Sequence, residues 1–63
     1  MTYCFEKTSI DWYTGETTYE VINFSSYDGF EYYRDGKLLQ TGLVEDVDEL
    51  KNALTAADFT EVI

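Results

Sequence analysis

The residues of this chain best equipped for chemistry are its carboxylates. Thirteen Asp and Glu stand against four Lys and Arg, with no His, for a formal charge of -9 on 63 residues. Carboxylates can pair as general acid and base, ligate hard cations, or present a negative field to a basic partner. Acid–base work on a bound substrate needs a cleft, which a chain of this length hardly encloses. Histidine, the commonest base and metal ligand, is absent, so Ser9, Ser25 and Ser26 have nothing to activate them. Gly15, Gly29, Gly36 and Gly42 stand singly and form no phosphate-cradling loop. Cys4 is the only cysteine, so no intrachain disulfide forms and no zinc set can be assembled. The expectation is a protein without enzymatic activity, cofactor or metal.

Cation binding is the next possibility for the carboxylates. The run Glu45-Asp46-Val47-Asp48-Glu49 lacks the central glycine and the twelve-residue ligand spacing of an EF-hand loop. Helix capping explains it better, with Asp46 at the cap and Glu49 three positions later. The remaining acids, among them Glu6, Asp11, Glu16, Glu20, Asp28, Glu31, Asp35, Asp58 and Glu61, are scattered. Such scatter suits a solvated surface, or one that imitates nucleic-acid phosphates and enters a basic groove.

Acidic composition is also common in disordered tails, but those lack aromatics. This chain carries six Tyr, four Phe and one Trp, enough to build a core beneath the charge. A single domain over 1-63 is expected, near the lower size limit, burying only about 60% of its unfolded surface. Domains so small often need a disulfide, a metal or self-association. Cys4, between Tyr3 and Phe5, is expected to pack as a small hydrophobe. The N-terminal stretch lacks the basic and apolar regions of a secretory signal, and no apolar run approaches the ~18 residues of a membrane span. A lone thiol then suggests a reducing, cytoplasmic setting.

Turn residues divide the chain. Asp35-Gly36 is a strong hairpin signal, because a type I′ turn needs positive φ at both central residues. Gly15 and Asp28-Gly29 mark two more turns. Between them, Thr2 to Lys7, Thr17 to Phe24, Phe30 to Arg34 and Lys37 to Thr41 read as strands rich in aromatic and β-branched residues. Ser9 to Tyr13 extends the first strand, with a bulge expected near Thr8. The period then changes. Val47, Leu50, Ala53, Leu54 and Ala57 fall on one face of a helix of about eleven residues, marginal without packing. Phe59 to Ile63 reads as a last short strand. The fold expected is α+β: a small antiparallel sheet of four to five strands, in the order β-β-β-β-α-β, with one helix packed on one face.

Apolar residues occupy both parities of the strands. Tyr19 and Val21 point one way, Ile22 and Phe24 the other, and Phe30 and Tyr32 oppose Tyr33. One short helix covers one face, so the second is expected to keep several aromatics, including Trp12 and Tyr33. An apolar patch rimmed by charge marks an interaction site, and Tyr and Trp are favoured anchors. The candidate partner-binding residues are Trp12, Tyr13, Tyr32 and Tyr33 as anchors and Asp11, Glu16, Glu31 and Asp35 as the acidic rim.

No motif assigns a family. Size, acidity and surplus aromatics resemble, at the level of class, the small acidic inhibitors that bacteriophages encode against host defence. These include anti-CRISPR and anti-restriction proteins and inhibitors of DNA-repair glycosylases, some of which mimic DNA. The likeness transfers no single residue. It implies a viral protein in the host cytoplasm that blocks a basic, nucleic-acid-binding partner without binding nucleic acid or membrane itself. Two other classes remain: a homodimeric assembly module joined through an aromatic sheet face, and a nucleotide-sequestering oligomer, which the scarcity of cations (Lys7, Arg34, Lys37, Lys51) disfavours.

Overall fold

The computed structural model describes residues 2–62. Five strands and one helix follow in the order β1 (Tyr3–Ile10), β2 (Thr17–Ser25), β3 (Gly29–Arg34), β4 (Lys37–Gly42), α1 (Val47–Ala56) and β5 (Thr60–Glu61). The strands form one antiparallel sheet in the order β4-β3-β2-β1-β5, the expected α+β arrangement. The Asp35-Gly36 turn has positive φ at both residues, 51° and 83°, as a type I′ hairpin requires. The last strand is shorter than expected, and Ile63 lies outside the described residues.

Two details differ from the expected strands. β1 pairs with β2 in unbroken register from Tyr3↔Phe24 to Ile10↔Thr17, so there is no bulge near Thr8. It ends at Ile10 because the Asp11 carboxylate accepts hydrogen bonds from the Tyr13 and Thr14 backbone N–H groups at 2.8 and 3.3 Å. This local alternative to the ladder turns the chain there. The register break lies instead between Tyr32 and Tyr33, where Tyr32 pairs with Gln40 and Tyr33 with Leu38. Leu39 is the extra residue of a bulge on the edge strand.

The register sorts side chains by face. Tyr3, Phe5, Ile22, Phe24 and Phe30 share the face that α1 covers. Phe5, Ile22, Phe24 and Leu54 are the buried core, with Val44, Val47, Leu50 and Phe59 packed against it. The Phe24 ring stacks on both Tyr3 and Phe5, at centroid distances of 5.5 and 5.7 Å, within the range of offset aromatic pairs. Of the expected helical stripe, Val47, Leu50 and Leu54 reach this core. Ala53 and Ala57 remain exposed, because a short helix meets the sheet along a narrow seam that a methyl group beside it does not reach.

Both ends of α1 are fixed by local chemistry. The Asp46 carboxylate accepts from the Glu49 N–H at 3.1 Å, the expected N-cap. At the other end, Asp58 N–H donates to Thr55 O and Phe59 N–H to Leu54 O, at 3.1 and 2.9 Å. With Asp58 at φ 69°, this is a Schellman motif, closed by Phe59 and Leu54 meeting in the core. Aspartate is a poor occupant of that position. It adopts left-handed backbone less freely than glycine and puts a negative charge at the negative end of the helix dipole.

Two substitutions test this account. Asp58→Gly should raise stability by about 0.5–1 kcal/mol, read from urea unfolding, because glycine adopts the left-handed conformation freely. Gly29→Ala should lower it by about 2–4 kcal/mol. Gly29 has φ 78°, and a Cβ there would lie 2.0 Å from the Gly42 carbonyl oxygen.

Candidate protein interface

Beyond the body of the sheet, the β1–β2 hairpin continues alone. β3 ends at Arg34, opposite Glu20. There Asp35 takes over the pairing: its N–H donates to Tyr19 O at 2.8 Å, and its carboxylate accepts from Tyr19 N–H at 3.0 Å. Past this clamp, Thr8 to Thr18 form a two-stranded finger, consistent with an elongated molecule of 39 × 22 × 19 Å.

The loop at the fingertip is well ordered by its own hydrogen bonds. Besides the two N–H groups held by the Asp11 carboxylate, Gly15 N–H donates to Asp11 O at 2.7 Å, and Asp11 N–H to Glu16 O at 2.8 Å. Trp12 and Tyr13 are carried on this fixed backbone at the tip. They are 88% and 85% exposed and contact each other edge to face at 5.4 Å. Trp12 thus sits at the tip rather than on the uncovered sheet face, because the Asp11 turn removes it from the strand. Of the eight sequence candidates, Asp11, Trp12, Tyr13 and Glu16 come together here.

The other candidates separate. Tyr33 and Glu31 lie on the uncovered face, where the Tyr33 hydroxyl donates to the Glu31 carboxylate at 3.3 Å. Tyr32 lies on the helix side, donating to Glu20 at 2.7 Å and accepting from Arg34 at 3.2 Å. Asp35 is occupied by the Tyr19 backbone. The uncovered face also carries a pair that the sequence candidates omit. The Tyr19 hydroxyl donates to the Glu6 carboxylate at 2.7 Å. Alternation puts Tyr19 with Val21, but only the β1–β2 register, which pairs Glu6 with Val21, brings Glu6 to the same face.

Charge is divided between the two sides. Lys7 shares the face of Phe5 and sits over the Phe59 ring at 5.7 Å. Lys51, on α1, sits over the Tyr3 ring at 4.5 Å. Arg34 pairs with Glu20 at 3.5 Å, and Lys37 is the cross-strand partner of Arg34. All four basic residues of the chain thus lie on the helix side. The open face has Glu6 and Glu31 and no cation. Two open concavities, of about 400 and 380 Å³, are lined by acids as well: Asp28 and Glu31 in one, Glu45, Asp46 and Glu49 in the other.

These carboxylates act on their neighbours. The hydrogen bond to Glu6 is the main cause that raises the Tyr19 phenol, while burial and then the Glu31 charge raise Tyr33. The bond to Glu20 is the main cause that raises Tyr32. Burial, then the Glu6 charge, pushes the Cys4 thiol up, which makes it a poor nucleophile. Among the described residues no group of three or more His, Cys, Asp or Glu is placed to hold a metal ion. No helix there is long and apolar enough to cross a membrane.

Each raised phenol keeps its proton longer folded than unfolded. Its stabilising effect is complete below the unfolded value, about pH 10, and is lost as pH rises through the folded value. The urea midpoint should be flat from pH 7 to about 8, begin to fall as the unfolded Cys4 thiol titrates, and fall further above about pH 10 as the phenols do, less steeply there in Tyr32→Phe. Asp11→Ala should weaken the near-ultraviolet dichroism of Trp12 while lowering global stability by no more than about 1 kcal/mol, the worth of a local cap-type bond. No family model matches the chain, and no curated protein or solved structure is significantly similar to it.

Proposed function

We propose that the chain is a non-enzymatic binding protein that blocks a basic, nucleic-acid-binding partner. One observation carries this: all four cations sit on the helix side, which leaves the open face and the fingertip with carboxylates as their only charged groups, set among aromatic, aliphatic and neutral polar side chains. Such a surface attracts a basic partner and repels nucleic acid. Trp12 and Tyr13 have the geometry of anchors. The backbone that carries them is fixed by the Asp11 turn before binding, so the loop needs no reordering on contact, and Asp11 and Glu16 flank them. Tyr33 with Glu31, and Tyr19 with Glu6, extend the contact along the open face. Tyr32 and Asp35 have structural duties and take a lesser part.

Anchor and acidic rim carry more of this proposal than imitation of DNA does. Glu6 and Glu31 stand two strands and two register positions apart, about 12 Å by strand spacing and rise. Duplex DNA carries one charge per ~1.7 Å of axis. The open face is far sparser than that, so it would engage individual basic side chains rather than a whole phosphate groove.

Two alternatives are weaker. A homodimer through the open face would bring Glu6 and Glu31 against their own copies with no cation between them, a like-charge contact that costs affinity. A nucleotide-sequestering oligomer would have to place phosphates in concavities lined by acids.

Capture from a bacterial lysate at about 50 mM salt, with stepwise elution to about 500 mM, tests the proposal. A basic nucleic-acid-processing protein should elute at moderate salt. It should be absent when the bait is Trp12→Ala or Tyr13→Ala, each costing at least tenfold in affinity with an unchanged urea midpoint. Retention of the same protein by both variants would remove the anchor assignment. Failure of any basic protein to bind would remove the function.

A further inference from the structure

The edge of the sheet opposite β5 differs from the rest of this acidic surface. β4 pairs with β3 on one side only, which leaves one side of its backbone without a strand partner. It lies within Gly36–Val44, the longest stretch of the chain without a carboxylate. The stretch also exposes three leucines: Leu38 at 46%, Leu39 at 48% and Leu43 at 88%. Edge strands of soluble proteins are usually protected by charge, proline or distortion. Here the protection amounts to Lys37 and the Leu39 bulge.

The free charges at the two ends of this edge are opposite. Lys37 stands where β4 begins, where Arg34 is paired with Glu20 and the Asp35 carboxylate is taken up by Tyr19 N–H, and Glu45 and Asp46 follow where it ends, about 20 Å away for six residues. An edge of this kind complements itself when turned end for end. From this we infer that β4 is a homodimer interface, in which two copies pair their β4 edges antiparallel about a two-fold axis. Lys37 of each copy then lies beside the Glu45–Asp46 end of the other, and the leucines of both copies cover one another. No like-charged pair falls between residues 36 and 44. The pairing is isologous, so the two-fold axis uses up both β4 edges and closes the assembly at two chains. It leaves the open face and the fingertip free, so it stands independently of the function proposed above.

A contact of one short strand and three leucines is small, and a dissociation constant on the order of 100 µM is expected. Sedimentation equilibrium of the full chain, from about 10 µM to 1 mM in about 300 mM salt, screens the repulsion between two copies of charge -9. The mass should rise from 7.3 kDa toward that of two chains and stop there. Leu43→Asp should weaken association at least tenfold without moving the urea midpoint, since Leu43 makes little contact within its own chain. Lys37→Glu should weaken it about three- to tenfold, as should Glu45→Lys, and the double exchange should restore it. A monomer throughout the range would overturn the inference, as would growth beyond two chains. A dimer indifferent to Leu43→Asp and to the charge exchange would place the contact elsewhere and overturn it equally.

Discussion

A sheet has two faces, and this chain has a single ten-residue helix to set against five strands. That disproportion governs the rest of the molecule. The covered face takes the rings of Phe5, Phe24 and Tyr3 and the side chains of α1. It also takes every basic residue, because Lys7 and Lys51 lie over aromatic rings there and Arg34 meets Glu20. The open face is left without positive charge: tyrosines hydrogen-bonded to glutamates, with aliphatic residues such as Val21, Ile10 and Leu38 beside them. Helix placement and charge separation are therefore one fact seen twice.

The open face is polar enough to stand in water without a cover. Tyr19 and Tyr33 present ring faces, but each hydroxyl is tied to a carboxylate. Among the described residues no buried side-chain polar atom lacks a partner. Such rings are oriented by their hydrogen bonds while staying wet. Cys4, on the same face, has its thiol proton held by burial and by Glu6, so it contributes bulk there rather than reactivity.

Much of the fold can be read from the residues. Strand alternation, the Asp35-Gly36 turn, the change to helical spacing after Val47 and the Asp46 cap are each local signals, and each reappears in the structure. What escaped is what depends on competition between local options. The Asp11 carboxylate outcompetes the β-ladder, and that ends β1 three residues before Tyr13 and moves Trp12 from a sheet face to a tip. The Leu39 bulge answers to the pairing of two particular strands and leaves no mark in the composition of either. The placement of the candidate residues was half legible for the same reason. Parity fixes Tyr32 and Tyr33 on opposite faces, but only the register decides which of them lies under the helix. The separation of the cations was hidden entirely, since it needs the pairing of Lys7, Arg34 and Lys37 with residues distant in the chain.

The Asp35 clamp divides the molecule into a body and a finger, and the division has a consequence for how the protein can change over generations. Every residue of the core lies outside Thr8–Thr18. Mutations in the finger can therefore alter shape and charge at the tip with almost no effect on folding, while the body stays under tight steric constraint at Gly29, Phe24 and Leu54. Sequence drift in this chain should therefore collect in the finger, whose residues add nothing to the core, while the body keeps its residues.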